Sequence, residues 1–206
     1  MKRLLTSALS ILVMGLSLGL PGTAHAQIET YSFDKAHTQI LFFVNHLGFS
    51  NSQGEFLDFD GTFTFDRGEP EKSSVDVTIQ TNSIDMDDEK WDTHMKSADF
   101  FNVEHFPTMH FKSTSIVLTG EDTADITGDM TILGVTKPVT LSTKLNKAGP
   151  HPFGSKYMAG LSASAHIKRS DFGMNYGLPM VGDDVEIRIE VEGVRDDSAA
   201  QGVENP

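Results

Sequence analysis

Residues 126–145 read ITGDMTILGVTKPVTLSTKL, and apolar residues recur at every second position on both sides of a central Leu133-Gly134. One face carries Ile126 to Ile132, and the next run carries Val139 to Leu145. Alternation with a period of two is typical of a half-buried β-strand. Two such runs joined by two residues, with a glycine that tolerates positive φ, predict a tight antiparallel hairpin. The stretch therefore predicts an antiparallel all-β fold.

The same period of two recurs along most of the chain. Further alternating runs begin at Ile40, Phe59, Val75, Met109, Leu161 and Val185. Eight or nine strands with short turns indicate either a closed barrel or a sandwich. Closure removes the exposed edges of such apolar strands, and eight strands make about the smallest barrel that holds a ligand.

One segment departs from this period. In Asp87–Ala98, Trp91 and Met95 lie four residues apart, with acidic residues at the start and Lys96 near the end. This spacing and charge order predict a short helix, which we place over a barrel opening. Trp91 and Met95 either anchor this helix or, together with His94, form a lid at a portal.

The N-terminus predicts a secretory signal peptide. Two basic residues precede the apolar run Leu4–Leu20, and Ala24-His25-Ala26 supplies small residues for cleavage at Ala26-Gln27. An uncleaved membrane anchor is the alternative, but the run is short for one. We therefore expect a periplasmic or secreted protein: signal peptide 1–26, one domain over 27–194, and a disordered tail over 195–206.

Composition excludes several classes of function. The formal net charge is −13, and removing Lys2 and Arg3 with the leader leaves 14 basic against 29 acidic residues, a net of −15. Such a surface disfavours nucleic acid. The absence of cysteine excludes thiol catalysis and disulfides, and no His-x-His or His-x₃-His pair predicts a metal site. We expect no metal and no resident cofactor.

Enzymatic signatures are also scarce. A hydrolase using His94, Asp92 and Asp99 near the presumed opening is conceivable, but no activated nucleophile accompanies them. We therefore expect a protein without catalytic residues. The 14 Phe and nine Met residues suit a deformable apolar interior. Periodicity alone does not separate a barrel filled by its own side chains from a hollow one.

Several longer motifs carry a family resemblance. In order along the chain they are DKAHT (34–38), ILFFVNHLGFS (40–50), GEF (54–56), FDGTFTFD (59–66), DTHMKSADFF (92–101), HFP (105–107), FKS (111–113), ITGDMTI (126–132), GVTKPV (134–139) and RSDFG (169–173). This series resembles the YceI-like polyisoprenoid-binding family over nearly all of 31–194.

The resemblance implies an elongated, eight-stranded antiparallel β-barrel of lipocalin-like shape, with a short helix near one end. It further implies a long polyisoprenoid or isoprenoid quinone in the lumen, a secreted location and a homodimer. It implies no catalysis.

Within that frame, alternation selects the inward residues. The candidate lining residues are Ile40, Phe42, Val44, His46, Phe63, Phe65, Val77, Met109, Phe111, Met130 and Ile187. Leu41 and Phe43 then face outward, where a dimer could cover them. Trp91, His94 and Met95 are the candidate portal residues, and His46 could either meet a polar head group or bond the backbone.

We expect a carrier or sequestering protein for an isoprenoid lipid, with transient contact to a membrane or a membrane enzyme. Two alternatives stay open: a binder of another amphiphile such as a fatty acid or amide, and a ligand-free structural or stress protein with a filled barrel.

Overall fold

The computed structural model describes residues 28–197, which contain eleven β-strands, one α-helix and three short 3₁₀ helices (Pro70–Lys72, Thr81–Ser83 and Arg169–Phe172). The strands are β1 (Glu29–Phe33), β2 (Gln39–His46), β3 (Ser50–Phe56), β4 (Phe59–Phe65), β5 (Ser74–Gln80), β6 (Ile84–Asp85), β7 (Thr108–Leu118), β8 (Thr123–Ile132), β9 (Val135–Pro150), β10 (Tyr157–Lys168) and β11 (Val181–Arg195). The helix α1 spans Glu89–Lys96. The predicted signal peptide, residues 1–26, lies outside the described residues.

Eight of the strands close into an antiparallel barrel. They follow the order β1, β4, β5, β7, β8, β9, β10 and β11, and β11 pairs again with β1. The other three extend this sheet at one end, because β2 pairs with the first part of β11, β3 with β2, and β6 with β3. The predicted eight-stranded antiparallel barrel with one short helix is confirmed, and the sandwich is excluded.

The β8–β9 hairpin has the predicted tight turn. Ile132 pairs with Val135, and both Leu133 (φ 50°) and Gly134 (φ 72°) lie in the left-handed region. Two successive positive φ values match the twist of the flanking strands. Met130, Ile132, Val139 and Leu141 are all buried. The alternation therefore indicated the inner face of this hairpin correctly.

Strands β1 and β3 were not among the predicted strands. The sequence of β3, SNSQGEF, has one large apolar residue at its end, and β1 has only five residues. Neither contains an alternating apolar pattern long enough to detect. Their positions depend instead on pairing with longer neighbours: β3 pairs with β2, and β1 pairs with β4 and β11.

Helix α1 is shorter than the predicted segment by two residues at each end. The Asp88 side chain caps it by accepting from the amide N–H groups of Lys90 and Trp91. Asp87 has positive φ and Ser97 is extended, so neither continues the helix. No helix within residues 28–197 has the length and apolar character needed to cross a membrane.

Strand β11 continues one residue past the predicted domain boundary at Val194. Arg195 pairs with Tyr31 at the end of β11, and the amide N–H of Asp196 donates to the carbonyl of Thr30 at 2.8 Å. These contacts hold residues 195–197 against β1. Residues 198–206 of the predicted tail lie outside the described residues.

Candidate ligand-binding cavity

A largely apolar cavity of about 420 Å³ occupies the barrel interior. Its lining extends from Trp91 and Tyr176 at the α1 end to Leu118 and Thr123 at the opposite end. This volume falls within the roughly 300–1,000 Å³ typical of small-molecule sites. The barrel is therefore hollow and not filled by its own side chains.

All fourteen residues proposed from the sequence lie on the wall of this cavity. They are Ile40, Phe42, Val44, His46, Phe63, Phe65, Val77, Met109, Phe111, Met130 and Ile187 from the strands, and Trp91, His94 and Met95 from α1. The structure thus brings them together in one place. That they contact a ligand stays a prediction.

The wall also contains residues that were not proposed. Some continue the alternating faces, such as Ile126, Leu141 and Ile189. Others come from segments without a period of two: Phe100 and Phe101 follow α1, and Met86, Met174 and Tyr176 lie in loops. Of this latter set only Phe100 and Phe101 form an apolar run in the sequence, whereas Met86, Met174 and Tyr176 have no local signal.

Glycines on the inner wall help to explain why the barrel is hollow. Phe42 pairs with Gly54 on β3, and its ring occupies the space that a side chain at Gly54 would fill. The Phe111 ring covers Gly128 in the same way, and the Phe63 ring covers Gly193. An aromatic ring packed over a glycine of a nearby strand lies along the wall. It therefore leaves the centre of the barrel free.

Aromatic rings surround the α1 end of the cavity. The centroid of the His94 ring lies 5.0 Å from that of Phe100 and 5.2 Å from that of Tyr176, and the latter two are 5.3 Å apart. The His46 and Trp91 rings are 5.9 Å apart. These contacts join α1 to strand β2 and to the loop before β11. They place both candidate histidines at the mouth of the cavity.

Arg169 is a buried cation beside this mouth. Its guanidinium donates four hydrogen bonds to the carbonyls of Gly182, Met174, Tyr176 and Val181, at 2.7–3.0 Å. Burial lowers the pKa of this guanidinium, although Asp183 partly opposes the effect. The planar fork of five donors suits several carbonyls at once. Arg169 therefore holds the loop that carries Tyr176.

The residues considered for a hydrolase are engaged in local hydrogen bonds. His94 Nε2 lies 3.0 Å from Asp99 Oδ2, while Asp92 Oδ1 accepts from the amide N–H of Met86 at 2.7 Å. Within residues 28–197, no hydroxyl group is hydrogen-bonded to the His94 ring. The hydroxyl nucleophile that a base activates in covalent acyl transfer is therefore not seen beside His94 in this part of the chain. The arrangement is that of a polar rim.

One group of possible metal ligands lies outside the cavity. A nitrogen of His37 and carboxylate oxygens of Asp34 and Glu192 lie within 4.8 Å of one another. The Asp34 carboxylate accepts a hydrogen bond from His37 Nδ1 at 3.0 Å, and this bond raises the pKa of His37 and lowers that of Asp34. Asp34 also accepts from the Ala36 amide. These contacts stabilise the turn between β1 and β2.

Comparisons with known proteins agree with this architecture. The family model for the YceI-like domain matches residues 31–193. Protein YceI of Salmonella arizonae is 46% identical over 175 residues, which cover 84% of this chain and 91% of that protein.

Two solved structures are similar. The YCEI protein of Campylobacter jejuni has a TM-score of 0.68 at 30% identity, covering 74% of this chain and 90% of that one. A polyisoprenoid binding domain of Saccharophagus degradans, implicated in plant cell wall breakdown, has a TM-score of 0.60 at 12% identity. The match covers 81% of this chain and 98% of that domain. The second likeness shows a shared fold. Because the family model matches residues 31–193 and protein YceI is 46% identical, the chain belongs to the YceI-like domain family.

Proposed function

We propose that this protein is a carrier that holds a long-chain isoprenoid lipid, a polyisoprenoid or an isoprenoid quinone, in its barrel. The observation that carries the proposal is the apolar cavity, which extends from α1 to the opposite end of the barrel. The fold shared with a polyisoprenoid binding domain supports it, as does membership of the YceI-like family. The signal peptide predicted over residues 1–26 supports a periplasmic or secreted location for this activity.

The physical reason for such a carrier is the cost of exposing a prenyl chain to water. Each buried methylene contributes about 0.8 kcal/mol, so a five-carbon unit contributes several. Summed over a long chain, this would exceed the ceiling of about 18–21 kcal/mol for non-covalent complexes. Ordering of the chain and imperfect fit must therefore offset much of the gain. A wall of Phe and Met side chains suits a loose fit of this kind.

The direct test is the identity of the native cargo. Protein purified from its native host is extracted with organic solvent, and both fractions are analysed by mass spectrometry. We expect one prenyl lipid per barrel, together with saturable binding of a prenyl quinone by the emptied protein. A fatty acid or fatty amide in the extract would favour the alternative cargo. A protein that is always empty and binds no prenyl quinone would contradict the proposal.

Two further expectations belong to the same proposal. A carrier turns nothing over, so panels of esterase and phosphatase substrates should show no activity above background. We also expect a homodimer, which light scattering after size-exclusion chromatography measures. Phe43 lies on the outer face, with the Arg188 guanidinium 4.6 Å from its ring centroid, whereas half-buried Leu41 also borders the cavity. The outer face of β2 therefore offers a smaller apolar surface for a dimer than two exposed side chains would.

A further inference from the structure

The charged side chains around the cavity limit the head groups that it can accept. The chain has 16 Lys and Arg residues, and all but Lys2 and Arg3 fall within residues 28–197, which the structure describes. Among the cations of this part of the chain, only Arg169 belongs to the cavity wall. The carboxylates on the wall are those of Glu121 and Asp122, at the end opposite α1. These few side chains set the charge that a bound head group meets.

Arg169 is already engaged by its own loop. Its guanidinium has five N–H groups, and four of them donate to backbone carbonyls. The residue is 5% exposed, and the Asp183 carboxylate supplies a negative charge close to it. Moving this guanidinium toward an anion would break the bonds that hold the loop before β11. Arg169 is therefore a structural cation and not a free partner for an anionic lipid.

The end opposite α1 is acidic. The two turns that border the cavity there, residues 66–73 and 119–122, contain five acidic and two basic residues: Asp66, Glu69, Glu71, Glu121 and Asp122, with Arg67 and Lys72. Both basic side chains are held in ion pairs, Arg67 with Glu29 and Lys72 with Glu69. The Lys144 ammonium of β9 lies 3.6 Å from Asp122. An anion at this end would compete with carboxylates for each of these cations.

The α1 end is acidic as well. Residues 85–99, which include α1, contain six acidic and two basic residues: Asp85, Asp87, Asp88, Glu89, Asp92 and Asp99, with Lys90 and Lys96. The polar groups that the wall itself offers at this end are the His46 and His94 rings and the Tyr176 hydroxyl. A hydroxyl or imidazole group can form a hydrogen bond with a carbonyl or a hydroxyl group. This end therefore suits a head group that is polar and uncharged.

We propose that the cavity selects its cargo by the charge of the head group, accepting uncharged prenyl lipids and rejecting prenyl phosphates and diphosphates. A phosphate in the interior would be a buried anion without a partner cation, which is strongly unfavourable. At either end it would face an excess of carboxylates, and like charges repel. The selectivity rests on the proposed function in one respect, since the cavity must hold a prenyl lipid.

The test compares geranylgeraniol with geranylgeranyl phosphate, which share one prenyl chain and differ only in the head group. Each competes with a prenyl quinone for the emptied protein in a non-ionic detergent, and the quinone that stays bound is measured after gel filtration. The experiment is run at pH 8, above the ordinary histidine pKa of about 6.5, so that a charged imidazole does not attract the phosphate. We expect the alcohol to compete at least tenfold better than the phosphate.

A lysine placed on the wall tests whether charge is the cause. His46→Lys adds a cation at the α1 end and Glu121→Lys adds one at the opposite end, and both positions line the cavity. At the end that receives the head group, the lysine should raise the affinity for the phosphate relative to the alcohol at least tenfold. Asp129→Lys is the control, because Asp129 is exposed on β8 and lies outside the wall. Its ratio of affinities should equal that of the original protein.

Three results would overturn the selectivity. The first is equal affinity of the original protein for the phosphate and the alcohol, with the quinone still bound, which would leave the proposed function in place. The second is a ratio that neither wall lysine changes, and the third is an equal change in Asp129→Lys. No binding of quinone, alcohol or phosphate would instead contradict the proposed function together with the selectivity. Circular dichroism and thermal melting check that each variant folds.

Discussion

Val44 and Phe43 are neighbours in strand β2 and serve opposite sides of the barrel wall. Val44 lines the cavity, whereas Phe43 lies beside the Arg188 guanidinium on the outer face. Successive side chains of a strand point to opposite faces, so this pair separates the interior from the surface within one residue of backbone. It offers a matched comparison for the function of the cavity.

Replacing Val44 with Asp should abolish lipid binding in a folded protein. A carboxylate in an apolar channel must either take up a proton or remain unpaired, at a cost of several kcal/mol. We expect the affinity for a prenyl quinone to fall by about two orders of magnitude or more at pH 7, with partial recovery at low pH. Phe43→Asp should bind like the original protein. Quinone titration with circular dichroism measures both, and lipid retained in a folded Val44→Asp protein would show that this face does not hold the ligand.

At the level of elements, strands β2 and β3 shape the cavity wall between them. Phe42 on β2 pairs with Gly54 on β3, and both the Phe42 ring and the Met86 side chain occupy the space beside the glycine. The position of the Phe42 ring therefore depends on the absence of a side chain at Gly54. The same relation between Phe111 and Gly128 joins β7 to β8.

The variant Gly54→Ala should push the Phe42 ring toward the lumen. The added methyl group would overlap the ring and the Met86 sulfur, which are ends of side chains and can move. We expect a loss of about 1–3 kcal/mol in the free energy of unfolding, typical of overpacking, together with weaker quinone binding. Urea unfolding and quinone titration measure the two effects.

Gly160→Ala is the control for this variant, because no atom lies closer than 3.8 Å to a methyl group at that position. It should change neither quantity appreciably. Unchanged quinone affinity in a destabilised Gly54→Ala protein would separate the ring position from ligand binding.

For the whole molecule, closure of the barrel depends on the short strand β1, which pairs with β4 on one side and β11 on the other. Glu29 on β1 reinforces this junction. Its carboxylate accepts from the Tyr31 hydroxyl at 2.7 Å, from Arg67 at 3.0 Å and from Arg195 at 2.7 Å. Tyr157 of β10 joins the group, since the Arg67 and Arg195 guanidinium carbons lie 4.6 and 4.3 Å from its ring centroid.

The stability that Glu29 contributes should disappear in acid. Burial alone would raise the pKa of Glu29, but the bonds from Tyr31, Arg195 and Arg67 outweigh it and lower this pKa below its ordinary 4.5. A carboxylate with a lowered pKa stabilises the fold fully above the unfolded value and loses that effect as pH falls through the folded value. Glu29→Gln should therefore cost about 1–3 kcal/mol of unfolding free energy at pH 7. The cost should shrink progressively below pH 4.5.

Urea unfolding of both proteins at pH 7 and at pH 3 measures this difference. Glu104→Gln, an exposed position, controls for the charge change. A cost of the same size at both pH values would show that Glu29 acts through packing and not through its charge.

The local pattern of residues was sufficient to predict which side chains of a strand point into the barrel. Alternation in β2, β7, β8 and β11 identified inward residues that the structure places on the cavity wall, and Leu133-Gly134 identified the hairpin. These features depend on neighbours one to four positions away, which a sequence displays directly. The α1 segment was recognised for the same reason.

Tertiary structure alone decided that the barrel is hollow and how its mouth is built. The Phe42 ring packs over Gly54 of the neighbouring strand, and Arg169 donates to carbonyls up to 13 residues away. Tyr176 contacts His94, which is distant in sequence. Each contact depends on strand register and loop path, which are set by the pairing of segments distant in sequence. Whether the inward side chains interlock or leave a cavity depends on the same strand register and loop path. A filled barrel and a hollow one show the same period of two in the sequence, so the sequence alone does not distinguish them.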